Sequence, residues 1–280
     1  MVREGWRLAR ELADDFAQVP VRDDFAQVLD KVCRRRDGQP VLDPYVPFVG
    51  PGYEAGGILV YATAQNMAGV EHRYRDELNH GEAALYRLWG GVAPAGPKPA
   101  PAGLGIQPWD DGILPALVGM LNLARTGELE TLDGIRGRTA VSNFYKLSLV
   151  DGTKDFNPSR LPREAVARYA KTTWNRFVLR ELECLAPALI VTFRGAHAAI
   201  LREQRPERVR VVNDPAWLKR GGRFREVPAA SEDACALAAG YLDSCEEPYR
   251  TSKREAATGY LLHYFAQERA SMNQGAKGER

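Results

Sequence analysis

The chain has 280 residues, 45% of them hydrophobic and 26% charged, enough for one large domain or two small ones whose core needs no disulfide or metal staple. That balance excludes disordered and fibrous chains, and no run of about 18 apolar residues offers a membrane-spanning helix. Thirty-eight Lys plus Arg against 36 Asp plus Glu leave a formal charge of +2, so a nucleic-acid partner would have to be held by a local basic surface.

Cys33, Cys184, Cys235 and Cys245 form no C-x-x-C pair, and His72, His80, His197 and His263 show no ligand spacing. Zinc and iron–sulfur sites are therefore not expected, and the thiols read as reduced. The N-terminus MVREGWRLARELADDF lacks the apolar stretch of a signal peptide. A cytoplasmic monomer without metal, cofactor or membrane contact is the expectation.

Residues 3–17 and 22–35 space Leu8, Leu12, Phe16 and then Phe25, Val28, Leu29, Val32 at helical intervals, which predicts a helical hairpin turning at Pro20. The hexapeptide DDFAQV occurs at Asp14 and again at Asp23, but a period seen twice is no repeat architecture. The Gly/Pro-rich stretch VPFVGPGYEAGG leads into a short apolar run, Ile58 to Ala62, read as the first core strand. Three further runs follow: Ala140–Val141 with Asn143 at its end, Leu189–Phe193, and Val209–Val212. Helical stretches near 113–124, 163–185 and 196–203 lie between them. Strand alternating with helix predicts a layered α/β fold with a mostly parallel, four-stranded sheet. The segment 92–108 is too rich in Pro and Gly for either element and reads as a long surface loop. Helices near 231–245 and 251–269 close the chain. The expected organisation is an N-terminal helical extension over 1–40, one domain over 41–270 and a frayed tail over 271–280.

In open parallel sheets the working groups gather at the carboxyl ends of the strands. Here those ends carry Thr63, Ala64, Gln65 and Asn66; Asn143 and Lys146; Arg194 and Gly195; and Asn213, Asp214 and Pro215. The order of the segments ILVYATAQN, AVSNFYKLSL, LECLAPALIVTFRGAHAAIL and NDPAWLKR resembles that of the uracil-DNA glycosylase superfamily, from about residue 47 to 225. The third segment, a Pro followed by an apolar strand and Gly-x-x-Ala, is the most specific of the four.

That resemblance implies a three-layer α/β/α fold and a monofunctional DNA glycosylase working on a flipped base without metal or cofactor. It also implies roles for named residues. The family's water-activating position falls on Ala64, so Asn66 is the candidate for positioning the hydrolytic water, and Gln65 beside it is a candidate for binding the base. An Asn that merely turns the chain is the alternative. Asn143 stands where relatives hydrogen-bond the base, and an amide suits a Watson–Crick edge.

Asp214 replaces the family's His. A carboxylate accepts and cannot donate, which turns the expected target from uracil toward a cytosine-type base, possibly enlarged as in phage defence. An ordinary Asp-Pro turn is again the alternative. Tyr61 and Trp109 are candidates for stacking on the base. Lys146, Arg194, Trp217, Lys219 and Arg220 are candidates for contacting DNA, single- or double-stranded. A nucleic-acid-binding protein that keeps the fold without catalysis is the rival reading.

The glycines before Ile58 miss the dinucleotide spacing, Ser142 and Ser148 lack a G-x-S-x-G elbow, and no P-loop is present.

Overall fold

The computed structural model describes residues 4–34, 37–64, 109, 112–152, 154–224, 226 and 230–278. In chain order the elements are α1 (Glu4–Phe16), α2 (Val21–Asp24), β1 (Phe48–Val49), β2 (Ile58–Ala64), α3 (Ile113–Thr126), α4 (Leu132–Arg138), β3 (Thr139–Tyr145), β4 (Val150–Asp151), β5 (Lys154–Asp155), α5 (Arg163–Thr173), α6 (Leu179–Leu185), β6 (Leu189–Phe193), α7 (Ala196–Gln204), β7 (Val209–Val212), α8 (Ala216–Lys219), α9 (Glu232–Asp243) and α10 (Arg254–Gly278). Contacts group them into two compact units, Met1–Ile106 with Arg138–Val211 and Gln107–Gly137 with Val212–Arg280. α1 falls in the unit that holds the sheet.

The fold is mixed α/β, built on a sheet of order β1-β3-β2-β6-β7. β2 runs parallel to β3, with Leu59 opposite Ala140, Tyr61 opposite Ser142 and Ala62 opposite Asn143. It also runs parallel to β6, with Tyr61 opposite Thr192. Every residue of β3 and β6 is buried; β6 reads as an apolar run, whereas β3 carries the buried polar residues Thr139, Ser142 and Asn143 and extends past the expected end at Asn143 to Tyr145.

Five strands replace the expected four. β1 adds an antiparallel edge, Phe48 opposite Val141 and Val49 opposite Ala140. A strand of two residues is too short to show an alternation, and the prolines on either side, Pro47 and Pro51, confine such a piece to an edge.

Alternation of side chains puts Tyr61, Ser142 and Thr192 on one face and Ala62 and Asn143 on the other. On the first face Leu59, Ala140, Phe144 and Ile190 join a core with Leu8, Leu12 and Phe16 of α1. α1 packs on β1 and α6. Its approach is so close that a Cβ at Gly5 would lie 2.1 Å from the Gly50 carbonyl oxygen.

The second helix of the expected hairpin is largely replaced. After α2 and a 3₁₀ turn at Ala26–Val28, the Cys33 N–H donates to the Ser148 carbonyl at 2.8 Å and Val32 bridges Leu149. Tertiary pairing overrides a helical period there. The two DDFAQV copies nonetheless converge. Phe16 meets Phe177 edge-on at 5.0 Å and Phe25 stacks on it at 5.6 Å. A π-helical turn, Trp174–Val178, joins α5 to α6.

In the second unit, α3 is buried on nearly all sides, as a helix apolar all round requires. α10 packs on α3 and α9, and the Arg125 guanidinium donates to the buried Glu268 at 3.1 Å. The Ser231 hydroxyl caps α9 by accepting from the Ala234 N–H at 3.3 Å. α10 continues to Gly278, through residues expected to fray; once a helix is nucleated, each added residue costs little. Among the described residues no helix is long and apolar enough to cross a membrane.

Candidate functional site

In the first unit the ends of three neighbouring strands define a rim. β2 runs to Ala64; Gln65, Asn66 and the segment 92–108 lie outside the described residues. The pairing of Ala62 with Asn143 sets Asn143 one strand spacing, about 4.8 Å, from Ala62, two residues before the exit of β2 at Ala64, which itself faces Tyr145. Asn143 is 2% exposed, so its amide offers a donor and an acceptor from inside the protein. β6 ends at Phe193, and Arg194 beyond it is exposed.

His197, in the first turn of α7, is 1% exposed, and neither ring nitrogen has a hydrogen-bond partner among the described residues. Its ring centroid lies 5.5 Å from that of Phe144 and 6.4 Å from that of Tyr145. Burial pushes its pKa down to about 4, so the imidazole is neutral at neutral pH.

Two residues expected at the rim are inside. Lys146 and Tyr61 meet Ser142 and Glu181 on the opposite face from Asn143, and the side chains of Lys146 and Glu181 have no solvent contact. The Lys146 ammonium donates to the Ser142 hydroxyl at 2.6 Å and to the Glu181 Oε1 and Oε2 at 2.7 and 2.8 Å. The Ser142 hydroxyl donates to Oε1 at 2.7 Å, and the Tyr61 hydroxyl donates to Oε2. All three ammonium protons are thereby used. Phe16, Tyr45 and Tyr61 close around Nζ at 5.6, 5.9 and 5.6 Å from their ring centres.

Burial holds the Lys146 pKa below its ordinary value, partly countered by Glu181. The Tyr61 phenol is pushed well up by burial and then by Glu181. A serine beside a lysine can form a nucleophile–base pair, but this lysine is committed to a carboxylate and sealed from solvent. Lys146 therefore does not reach a DNA phosphate, and Tyr61 does not present a free ring to a base.

Glu181 was the residue that sequence reasoning missed. Its signal is a position within the apolar stripe Trp174, Phe177, Val178, Leu182 and Leu185, where an unpaired carboxylate would be costly. His197 was passed over because a single histidine on a helix carries no spacing.

In the second unit Trp109 is 7% exposed, so little of its ring is free. Asp214 is exposed, and one of its oxygens accepts the Ala216 N–H at 2.8 Å, opening the turn into α8. Trp217 is half-buried against Phe224, with ring centres 5.2 Å apart. Lys219 and Arg220 are exposed, and the Lys219 ammonium sits 5.6 Å from the Tyr249 ring centre.

Among the described residues no group of three or more His, Cys, Asp or Glu could hold a metal ion. In comparisons with known proteins, no family model and no curated protein matches the chain.

Proposed function

We propose that the chain is a DNA glycosylase of the uracil-DNA glycosylase type, hydrolysing the N-glycosidic bond of a flipped, modified cytosine-type base. The observation that carries the reading is the register of β2 and β3. It sets a buried amide, Asn143, beside the strand whose exit leads within two residues to Gln65 and Asn66. The strand order β3-β2-β6-β7, with helices between successive strands, fits the three-layer arrangement that such enzymes need.

In this reading Asn143 hydrogen-bonds the edge of the base and Asn66 orients a water. The water oxygen bonds to the sugar C1′ as the bond from C1′ to the base nitrogen breaks. The base leaves with that electron pair and takes up the proton the water loses, giving an abasic site and a free base. For Asp214, in the second unit, the resemblance alone suggests a role, accepting an exocyclic amine or facing the positive sugar. Arg194, Lys219 and Arg220, with Trp217, hold the DNA backbone, a contact that positions without specifying sequence. Removal of enlarged cytosines from invading DNA is the biological setting proposed.

Alkaline cleavage of duplex and single-stranded oligonucleotides carrying uracil, 5-hydroxymethylcytosine or larger 5-substituted cytosines tests the reading. Abasic sites are expected at the modified cytosines, and Asn143→Ala should lower their rate by about two orders of magnitude. Cleavage of uracil substrates alone would overturn the choice of base. DNA binding without abasic sites on any substrate would favour a non-catalytic binding protein, a reading supported by Ala64 at the family's water-activating position.

A further inference from the structure

The segment from Asn213 to Phe224, which carries Asp214, Trp217 and the exposed cations Lys219, Arg220 and Arg223, is fixed to α10 at both ends. At its start the buried Tyr260 hydroxyl donates to the Asn213 carbonyl at 2.7 Å, and the Asn213 N–H donates to the Tyr264 hydroxyl at 2.7 Å. Two residues one helical turn apart thus take both backbone polar groups of the residue immediately before Asp214. At its far end Phe224 lies flat on His263, with ring centres 3.7 Å apart and planes 12° apart, and meets Tyr264 edge-on at 5.8 Å.

Between these anchors the loop is folded on itself. The Trp217 ring covers the backbone of Gly222 so closely that a Cβ there would fall 2.2 Å from ring atoms. Gly221 beside it has a φ of +86°, a left-handed conformation that glycine adopts without strain. Burial, and then the nearby Tyr264 and Asp214, hold the Tyr260 phenol far above its ordinary pKa, so it remains a donor across the physiological range.

A loop that merely connected β7 to α9 would need none of this. Connecting loops are ordinarily the mobile parts of a fold, and two buried hydroxyls spent on one residue's backbone fix where its neighbour's carboxylate points. We propose that Tyr260 and Tyr264 are positioning residues that hold the Asn213–Phe224 loop in the one conformation in which Asp214 and the basic rim meet DNA. The inference rests on the proposed function for its ligand. The clamp itself can be tested without DNA.

Tyr260→Phe, Tyr264→Phe and the double variant keep the rings and remove the hydroxyls. Limited trypsin digestion, with the cuts mapped by mass, reads local opening of the loop. Cuts after Lys219, Arg220 and Arg223 are expected to come about tenfold faster in the double variant and at intermediate rates in the single ones, while cuts after Arg125 and Arg202 are unchanged. Gly222→Ala, which displaces the Trp217 ring, should expose the same three sites. Fluorescence anisotropy with a duplex oligonucleotide should show about tenfold weaker binding by the double variant. Its salt dependence should also be flatter, because cations no longer held together displace fewer counterions; a general loss of stability would not flatten it.

Unchanged cutting at the three sites would overturn the clamp. Faster cutting with unaltered affinity and salt slope would overturn its role in DNA contact. If the native protein itself bound no DNA, the proposed function would fall, and the cutting rates alone would decide the clamp. Should the double variant fail to fold, the single variants carry the same comparison.

Discussion

Lys146 and Glu181 form a pair whose worth depends on its being complete. Desolvating both charges is costly, and only the full set of bonds with Ser142 and Tyr61 returns that cost, so the pair contributes less net stability than its geometry suggests. Losing one partner is a different matter. Glu181→Gln leaves a buried ammonium facing a neutral amide, and Lys146→Ala leaves a buried carboxylate with only two hydroxyls. Each is expected to lower stability by about 3–5 kcal/mol, read as a fall in the urea midpoint. A change below about 1 kcal/mol, the range of exposed pairs, would mean that water reaches the pair.

His197 makes the opposite prediction, since it is a cost hidden at neutral pH. Its pKa falls from 6.5 in the unfolded chain to about 4 in the folded one. Between those values the unfolded chain binds a proton that the folded chain refuses, so stability declines as the pH drops below 6.5, and the loss is complete near pH 4. At pH 5 the loss from this one group is about 2 kcal/mol. His197→Phe, packed on the same aromatic neighbours, should reduce the difference between the unfolding free energies at pH 7 and pH 5, read from urea titrations, by that amount. An identical difference in both proteins would place the ring in solvent.

At the scale of elements, the close seating of α1 on β1 is where a single atom matters most. A methyl group at Gly5 would meet the carbonyl oxygens of Gly50 and Val49 at 2.1 and 2.7 Å. Both are backbone atoms, so the helix or the edge strand must shift. Gly5→Ala should cost about 1–3 kcal/mol despite its better helix propensity, and hydrogen exchange should show faster opening of α1 and β1 together.

The elements themselves were legible to unequal degrees. β2 and β6 announced themselves because strands buried on both faces are short apolar runs bounded by turns, whereas β3 showed only its Ala140–Val141 segment, since Thr139, Ser142 and Asn143 interrupt the apolar pattern. β1 did not, because a two-residue strand is made by its partner rather than by its own pattern. The end of α2 was misread for a related reason, since Val28 and Val32 keep a helical spacing while the backbone from Lys31 to Cys33 is claimed by residues 148–150. Lys146 was misplaced because a cation after a strand ordinarily faces water, and the carboxylate that draws it inward lies 35 residues further along. The fixing of the Asn213–Phe224 loop was equally hidden, as it depends on tyrosines 47 and 51 residues beyond Asn213.

For the whole molecule, a formal charge of +2 supplies no strong long-range field, so any attraction to DNA must come from cations gathered locally. That makes the salt dependence of binding a sum over few residues. Each phosphate neutralised in a duplex contributes about −0.9 to the slope of log affinity against log salt. Replacing Lys219, Arg220 and Arg223 together by glutamine should flatten the slope by about 2 to 3 and weaken binding to all sequences alike, because contacts to phosphate carry no base information. The same variant should still discriminate modified cytosine from cytosine, since the amide of Asn143, buried within β3 two residues before its end, is untouched. Lys146→Gln, for all its cost in stability, should leave the slope unchanged where the protein remains folded, because a side chain sealed inside the first unit releases no counterion. A slope that responds to Lys146 and ignores the three exposed cations would place the DNA on a different surface altogether.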